Sequence, residues 1–192
     1  KYVKLKKNDV VLDIGANVGV YSLFAAASGI RTVSVEPNAL NYALLNMHIR
    51  DNNFSDYITA YCIALDNKSS FSVLSTFVDY SEWGIGQCSF DNNKDQKGFS
   101  YKPTATQGMY GLKLDTFLEL TNFYPDYIKI DVDGNEGLIL DGAYLYLKNP
   151  NLKELLVELD PQRSDYRETI SLITSFGFKI KDRGEFNVIF SR

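Results

Sequence analysis

Short apolar runs alternate along the chain with stretches of helical spacing. Val10, Val11 and Leu12 open the first run and predict a strand over 10–13, rich in β-branched residues and covered on both faces. Residues 17–28 carry Val18, Tyr21, Leu23, Phe24 and several alanines, which predicts a helix packed closely on the sheet and stopped by Gly29. A second strand is expected over 32–35 and a second helix over 39–50, with Pro37 able to occupy its first turn. Residues 57–65 read as a third strand and 71–74 as a short one. Residues 110–114 predict a strand, and Asp115 is placed to N-cap a helix over 116–120. Beyond Pro125 come a strand from Tyr127, a helix over 136–147, a strand over 155–159 and a helix over 164–176. Two strands, 178–181 and 186–190, flank an Arg183-Gly184 turn. This order predicts an α/β fold of three layers, a mostly parallel sheet between helices, with one antiparallel strand near the C-terminus.

Between the short strand and Tyr110, residues 79–107 break the pattern. They hold Trp83, Gly84, Gly86 and the polar run 91–98. A stretch of that length without periodicity reads as an insertion or lid beside a site, or over 91–98 as a disordered surface loop.

Composition narrows the classes. The 192 residues suit one domain over 1–192, and a first residue Lys1 with a strand close behind fits a domain cut from a longer chain. A net charge of −4 argues against nucleic acid as the main partner, because phosphate binding needs a basic face. Lys1, Lys4, Lys6 and Lys7 read as a solvated basic stretch. Cys62 and Cys88 fit no zinc or redox spacing, and free thiols suit a reducing, cytoplasmic location. Nothing approaches a membrane span of about 20 apolar residues. The only histidine, His48, reads as a structural residue near a helix C-terminus.

The chemistry gathers at the strand ends, where open parallel sheets bind ligands. The first strand ends in Asp13, Gly15, Asn17 and Gly19; the second ends in Glu36; the third leads to Ala64. The later strands end in Asp131, Asp133 and Glu136, and in Glu158 and Asp160. Glu36 lies 21 residues beyond Gly15 and is placed to accept both hydroxyls of a ribose. The glycine turn departs from the dinucleotide pattern, with Asn17 where that pattern has glycine and an anionic Asp13 at the mouth. A carboxylate there repels a pyrophosphate and suits the ammonium and sulfonium groups of S-adenosylmethionine.

The segments Leu12-Asp13-Ile14-Gly15-Ala16-Asn17-Val18-Gly19 and Val35-Glu36-Pro37-Asn38 resemble the cofactor motifs of class I S-adenosylmethionine-dependent methyltransferases, which have a Rossmann-like fold. With Leu114-Asp115, Ile128-Lys129-Ile130-Asp131-Val132-Asp133-Gly134-Asn135-Glu136, Leu140-Asp141-Gly142 and Leu156-Val157-Glu158-Leu159, the chain is similar to the FkbM family, with Asp133 where that family commonly has Glu. The resemblance implies methyl transfer to a hydroxyl oxygen on a sugar or secondary metabolite. It implies that Asp13, Gly15, Asn17, Gly19, Glu36 and Pro37 form the cofactor site, with Ala64 bordering the adenine, and that Asp131 lies near the methyl group.

A hydroxyl acceptor needs a base, and Asp131, Glu136 and Glu158 are the candidates, in that order. Strand parity places Lys129 with Asp131 and Asp133 on one face, and Glu158 on the neighbouring strand is its expected partner. That pairing is read either as ordering the carboxylates for the acceptor or as a purely structural ion pair. The carboxylates also suit a divalent cation, though no residue is assigned as a metal ligand. An NAD-dependent dehydrogenase and a non-catalytic cofactor-binding domain are the competing readings.

Overall fold

A strand built on Val10–Ile14 (β1) lies near the middle of a seven-stranded sheet in the computed structural model, which describes residues 5–77, 87–92, 100 and 102–192. On one side it pairs in parallel with Arg31–Val35 (β2), and β2 with Ile58–Tyr61 (β3). On the other it pairs in parallel with Tyr127–Ile130 (β8), followed by Glu154–Glu158 (β9). Asn187–Ser191 (β11) is inserted antiparallel between β9 and Lys179–Arg183 (β10). The expected α/β architecture is present, and β11 is its antiparallel member.

Register makes the two faces of the sheet centre different. Leu12 lies opposite Val33 and Ile128, and Ile14 opposite Val35 and Ile130. These side chains are buried with Phe117 and Leu118 of Leu114–Thr121 (α3), Ile139 and Leu140 of Glu136–Asp141 (α4), and Ile173 of Tyr166–Ser175 (α5). On the opposite face Asp13 lies beside Ser34 and Lys129, beneath Val20–Ala27 (α1). Ser22, Ala25 and Ala26 are the residues α1 buries, so the alanines pack on the sheet as expected, while Tyr21 and Phe24 of the same helix are exposed. Gly19 caps this helix with φ 97°, and a Cβ there would stand 2.5 Å from Leu45 of Ala39–Asp51 (α2).

A second sheet was not foreseen. Ala64–Asp66 (β4), Ser70–Phe77 (β5), Gln87–Phe90 (β6) and Ala105–Lys113 (β7) pair in the order β4-β7-β5-β6. The expected third strand over 57–65 therefore splits at Cys62-Ile63 between two sheets. The expected patternless stretch supplies β6 and the first three residues of β7, while Trp83, Gly84 and Gly86 lie outside the described residues, as does most of the polar run 91–98. Ser70 stands directly opposite Gly111, so the intervening span leaves and returns at one point of the ladder.

Three other expectations are corrected. Pro37 precedes α2 rather than entering it, because Asn38 is the N-cap, its Oδ1 accepting from Leu40 and Asn41. The helix expected over 136–147 is interrupted after Asp141, and a 3₁₀ turn follows at Tyr146–Lys148. Asp115 lies inside the first turn of α3, and its carboxylate accepts the N–H groups of Leu145 and Tyr146, both at 2.8 Å.

Candidate active site

The glycine turn after β1 is shaped by three left-handed residues, Gly15 (φ 72°), Asn17 (φ 52°) and Gly19 (φ 97°). Gly15 and Ala16 both donate N–H to the Val35 carbonyl, at 3.0 and 3.1 Å. A Cβ on Gly15 would stand 1.8 Å from the Asp131 carbonyl, so only glycine lets this turn approach the end of β8. The Asn17 N–H donates to Glu36 Oε2 at 2.8 Å, and the Asn38 N–H to Glu36 Oε1 at 2.9 Å. Glu36 is buried, and loss of hydration pushes its carboxyl up to about 7 against the opposing pull of those N–H groups.

Asp13 is not at the mouth of the turn. It is 1% exposed, accepts from Ser22 Oγ at 2.6 Å and pairs with Lys129 Nζ at 3.1 Å. Ser22 Oγ also bonds Ser34 Oγ at 2.7 Å, completing a buried polar row under α1. Lys129 Nζ has three acceptors: Asp13, Asp131 at 3.2 Å and the Gly15 carbonyl at 3.0 Å. The Tyr21 ring lies 5.0 Å from the ammonium. Its partners are thus Asp13 and Asp131, not Glu158.

Register explains that correction. Lys129 faces Leu156, whereas Ile130 faces Val157, and one residue further Asp131 meets Glu158. Glu158 is half-buried, and lost hydration, with its hydrogen bond and like charge from Asp131, pushes it up to about 8. Glu136 plays a different part from the one expected. It is buried, its Oε1 accepts from the N–H groups of Val132 (3.3 Å) and Gly134 (3.1 Å), and its Oε2 pairs with Arg163 at 3.2 Å. It braces the turn after β8, and its charge adds to the upward push on Glu158.

The second sheet closes on the same edge. Gln107 of β7 donates to the Pro37 carbonyl and accepts from the Ala39 N–H, both at 3.0 Å. The Cys88 N–H of β6 donates to Asp133 Oδ2 at 3.2 Å. Ala64 is buried with Leu74, Phe90 and Met109, so Cys62, whose Sγ meets the Pro37 carbonyl at 3.6 Å, is the third-strand residue beside the turn. Burial pushes the Cys88 thiol up to about 11 and so keeps it un-ionised. His48 bonds the Val18 carbonyl at 2.8 Å and ties α2 to the turn. Ser22, Gln107 and Arg163 had no motif to mark them.

The chemistry of this lining suits a cationic ligand without phosphate. Glu36 meets the turn through the Asn17 N–H, Asp131 adjoins it at the end of β8, and Lys129 beside them is engaged by three oxygens. A diol could bond Glu36, and a sulfonium or ammonium is favoured by the carboxylates, whereas a pyrophosphate is repelled. Among the described residues no group of three or more His, Cys, Asp or Glu side chains is arranged to hold a metal ion. No helix among them is long and apolar enough to cross a membrane.

Comparison with known proteins identifies the family and the fold. The family described as Methyltransferase FkbM domain matches residues 13–180. No curated protein matches the sequence. Among solved structures, the chain is similar to a protein of the NADB-Rossmann superfamily from Streptococcus agalactiae, with a TM-score of 0.56, 14% identity and 98% of this chain covered. It is similar to the precorrin-6y C5,15-methyltransferase from Geobacter metallireducens GS-15, with a TM-score of 0.57, 12% identity and 98% covered. A Streptococcus pneumoniae protein proposed to be a tRNA (m1A22) methyltransferase gives a TM-score of 0.52 at 13% identity, with 97% covered. The chain spans 64% of the first and third of these proteins and 82% of the second. At these identities the likeness is one of fold.

Proposed function

This chain belongs to the FkbM methyltransferase family, a family of S-adenosylmethionine-dependent enzymes, and from that premise we propose that it methylates a hydroxyl oxygen of a small or saccharide acceptor. The observation that carries the reading is the Asp131–Glu158 pair at the ends of β8 and β9. It adjoins the glycine turn, to which Lys129 ties Asp131.

When bound, S-adenosylmethionine supplies a methyl group activated by its sulfonium. Gly15, Asn17 and Gly19 would line its methionine part, Glu36 would accept from the ribose, and Pro37 and the Cys62–Ala64 region would border the adenine. The carboxylate pair then takes the proton that the acceptor hydroxyl loses as its oxygen gains carbon. A base with a pKa near 8 suits an alcohol better than an ordinary carboxylate does, because it holds the proton more firmly in the transition state. The net charge of −4 and the acidic sheet edge favour a neutral or cationic small acceptor over a nucleic acid. The two free cysteines fit a cytoplasmic location.

A mass-spectrometric screen of saccharide and metabolite extracts with S-adenosylmethionine would identify the acceptor. With it, Asp131→Asn should lower turnover by about 10² to 10⁴ while S-adenosylhomocysteine binding by calorimetry stays within about twofold. Equal loss of both would make Asp131 a binding residue. Binding of NAD with neither adenosyl compound would favour the dehydrogenase reading, and cofactor binding with no methylated product would favour a non-catalytic domain.

A further inference from the structure

Arg163 stands on the turn between β9 and α5, and nothing in the proposed chemistry uses it. Its side chain is 12% exposed. The guanidinium is held by Asp165, Nε to Oδ1 at 2.8 Å and Nη2 to Oδ2 at 2.5 Å. From that fixed orientation Nη2 donates to the Gly134 carbonyl at 2.6 Å, and Nη1 reaches Glu136 Oε2 at 3.2 Å. The other oxygen of Glu136 takes the N–H groups of Val132 and Gly134. The backbone held this way leaves β8 through two consecutive left-handed residues, Asp133 (φ 46°) and Gly134 (φ 115°). Aspartate enters that region at a cost, so the surrounding contacts must hold it there.

The segment so fixed begins at Asp131, and Arg163 follows Glu158 by five residues. A single guanidinium therefore joins the two turns whose first residues are the paired carboxyls. We infer that Arg163 is a positioning residue: through Glu136 and the Gly134 carbonyl it locks the turn after β8 to the turn after β9 and holds Asp131 against Glu158. This role rests on the reading of those two carboxyls as the proton-accepting pair. It requires a planar fork with several donors, which lysine does not have. It also gives the buried Glu136 a part to play, with one oxygen on the Val132 and Gly134 N–H groups and the other on Arg163.

Charged groups face the pair from every neighbouring element. Lys129 and Asp13 lie on β8 and β1, Asp133 and Glu136 on the turn after β8 and on α4, and Asp160 and Arg163 on the turn after β9. Removing the Arg163 charge alone would leave Glu136 uncompensated and drive the Glu158 titration upward. Separation of the pair would remove the Asp131 hydrogen bond and move it downward. The two effects have opposite signs, so the experiment discriminates between them.

The full chain, carrying ¹³C-carboxyl labels on Asp and Glu, is titrated by NMR without any acceptor. The Glu158 signal is identified by its loss in Glu158→Gln. In Arg163→Gln the midpoint should fall by about one unit, tenfold in proton concentration. Arg163→Lys, which keeps the charge and loses the fork, should fall in the same direction. S-adenosylhomocysteine affinity by calorimetry should stay within about twofold in both. An unchanged or raised midpoint in the folded variants overturns the role. If Arg163→Gln does not fold, Asp165→Asn, which only frees the guanidinium, carries the same expectation at smaller amplitude. A failure of the parent reading would show instead as undiminished turnover in Asp131→Asn, with the Arg163 titrations still shifted.

Discussion

The two faces of the sheet centre are built from the same three strands and are chemically opposite. Leu12, Ile14, Val33, Val35, Ile128 and Ile130 make a dry face against α3, α4 and α5. One residue out of phase, Asp13, Ser34 and Lys129 make a buried polar row under Ser22. The first face stabilises by removing apolar surface from water. The second adds little or no net stability, because charges taken out of water recover their hydration only through each other. What the polar row does instead is connect. It runs from α1 through the middle of the sheet to the Gly15 carbonyl and Asp131, so the glycine turn and the end of β8 share one ammonium.

Substitutions can break that contrast. Lys129→Met should have the largest effect, about 3 to 5 kcal/mol of lost stability in denaturant unfolding, since it strands Asp13 and Asp131. Adding Asp13→Asn should recover part of the loss. Persistence of the full loss in the double variant would mean that packing, not charge, governs this face. Leu12→Ala should cost about 3 kcal/mol on the same measurement, while S-adenosylhomocysteine affinity stays unchanged. A matching loss of affinity would show the dry face to be coupled to the site.

Glu36 sharpens the comparison at the edge of the polar side. Glu36→Gln should weaken S-adenosylhomocysteine binding by about tenfold, equivalent to 1.4 kcal/mol for one charged hydrogen bond. Burial raises its pKa to about 7, so the carboxyl is protonated below that value and ionised above it. A ribose diol bonds best to the ionised form, so affinity in the wild-type chain should rise between pH 6 and pH 8, and the rise should vanish in Glu36→Gln. The folding contribution has the opposite sense, present at low pH and lost as pH rises through about 7. The smallest effect is expected at Asp115→Ala, about 1 kcal/mol by thermal unfolding, because only two N–H groups at the 3₁₀ turn lose their acceptor.

Much of this was legible in the sequence, for stated reasons. The apolar runs ending in Asp13, Glu36, Asp131 and Glu158 marked the parallel strands and the sheet edge where the acidic groups gather. Parity placed Lys129, Asp131 and Asp133 apart from the isoleucines, whereas Asp13 was expected at the mouth of the turn and is buried beside Lys129. Register was not legible. Without knowing that Ile130 faces Val157, Glu158 looks like the partner of Lys129 rather than of Asp131. Glu136 read as a candidate base because the sequence gives no sign of Arg163, a single residue on a turn. The second sheet escaped because β5 and β7 expose Phe71, Val73 and Tyr110 and bury Ser75, Thr76 and Gly111, which inverts the usual alternation.

The pairing of Ser70 with Gly111 gives that second sheet the character of a cassette with adjoining ends. Chain can be added or removed between those two residues without changing the distance the main sheet must span. Among the described residues the strand-end edge of the main sheet meets the cassette through the Gln107 side chain and the Cys88 N–H. Recombination between relatives at 70 and 111 would then exchange the second sheet as one heritable piece, and leave the glycine turn, Glu36 and Lys129 in their original frame.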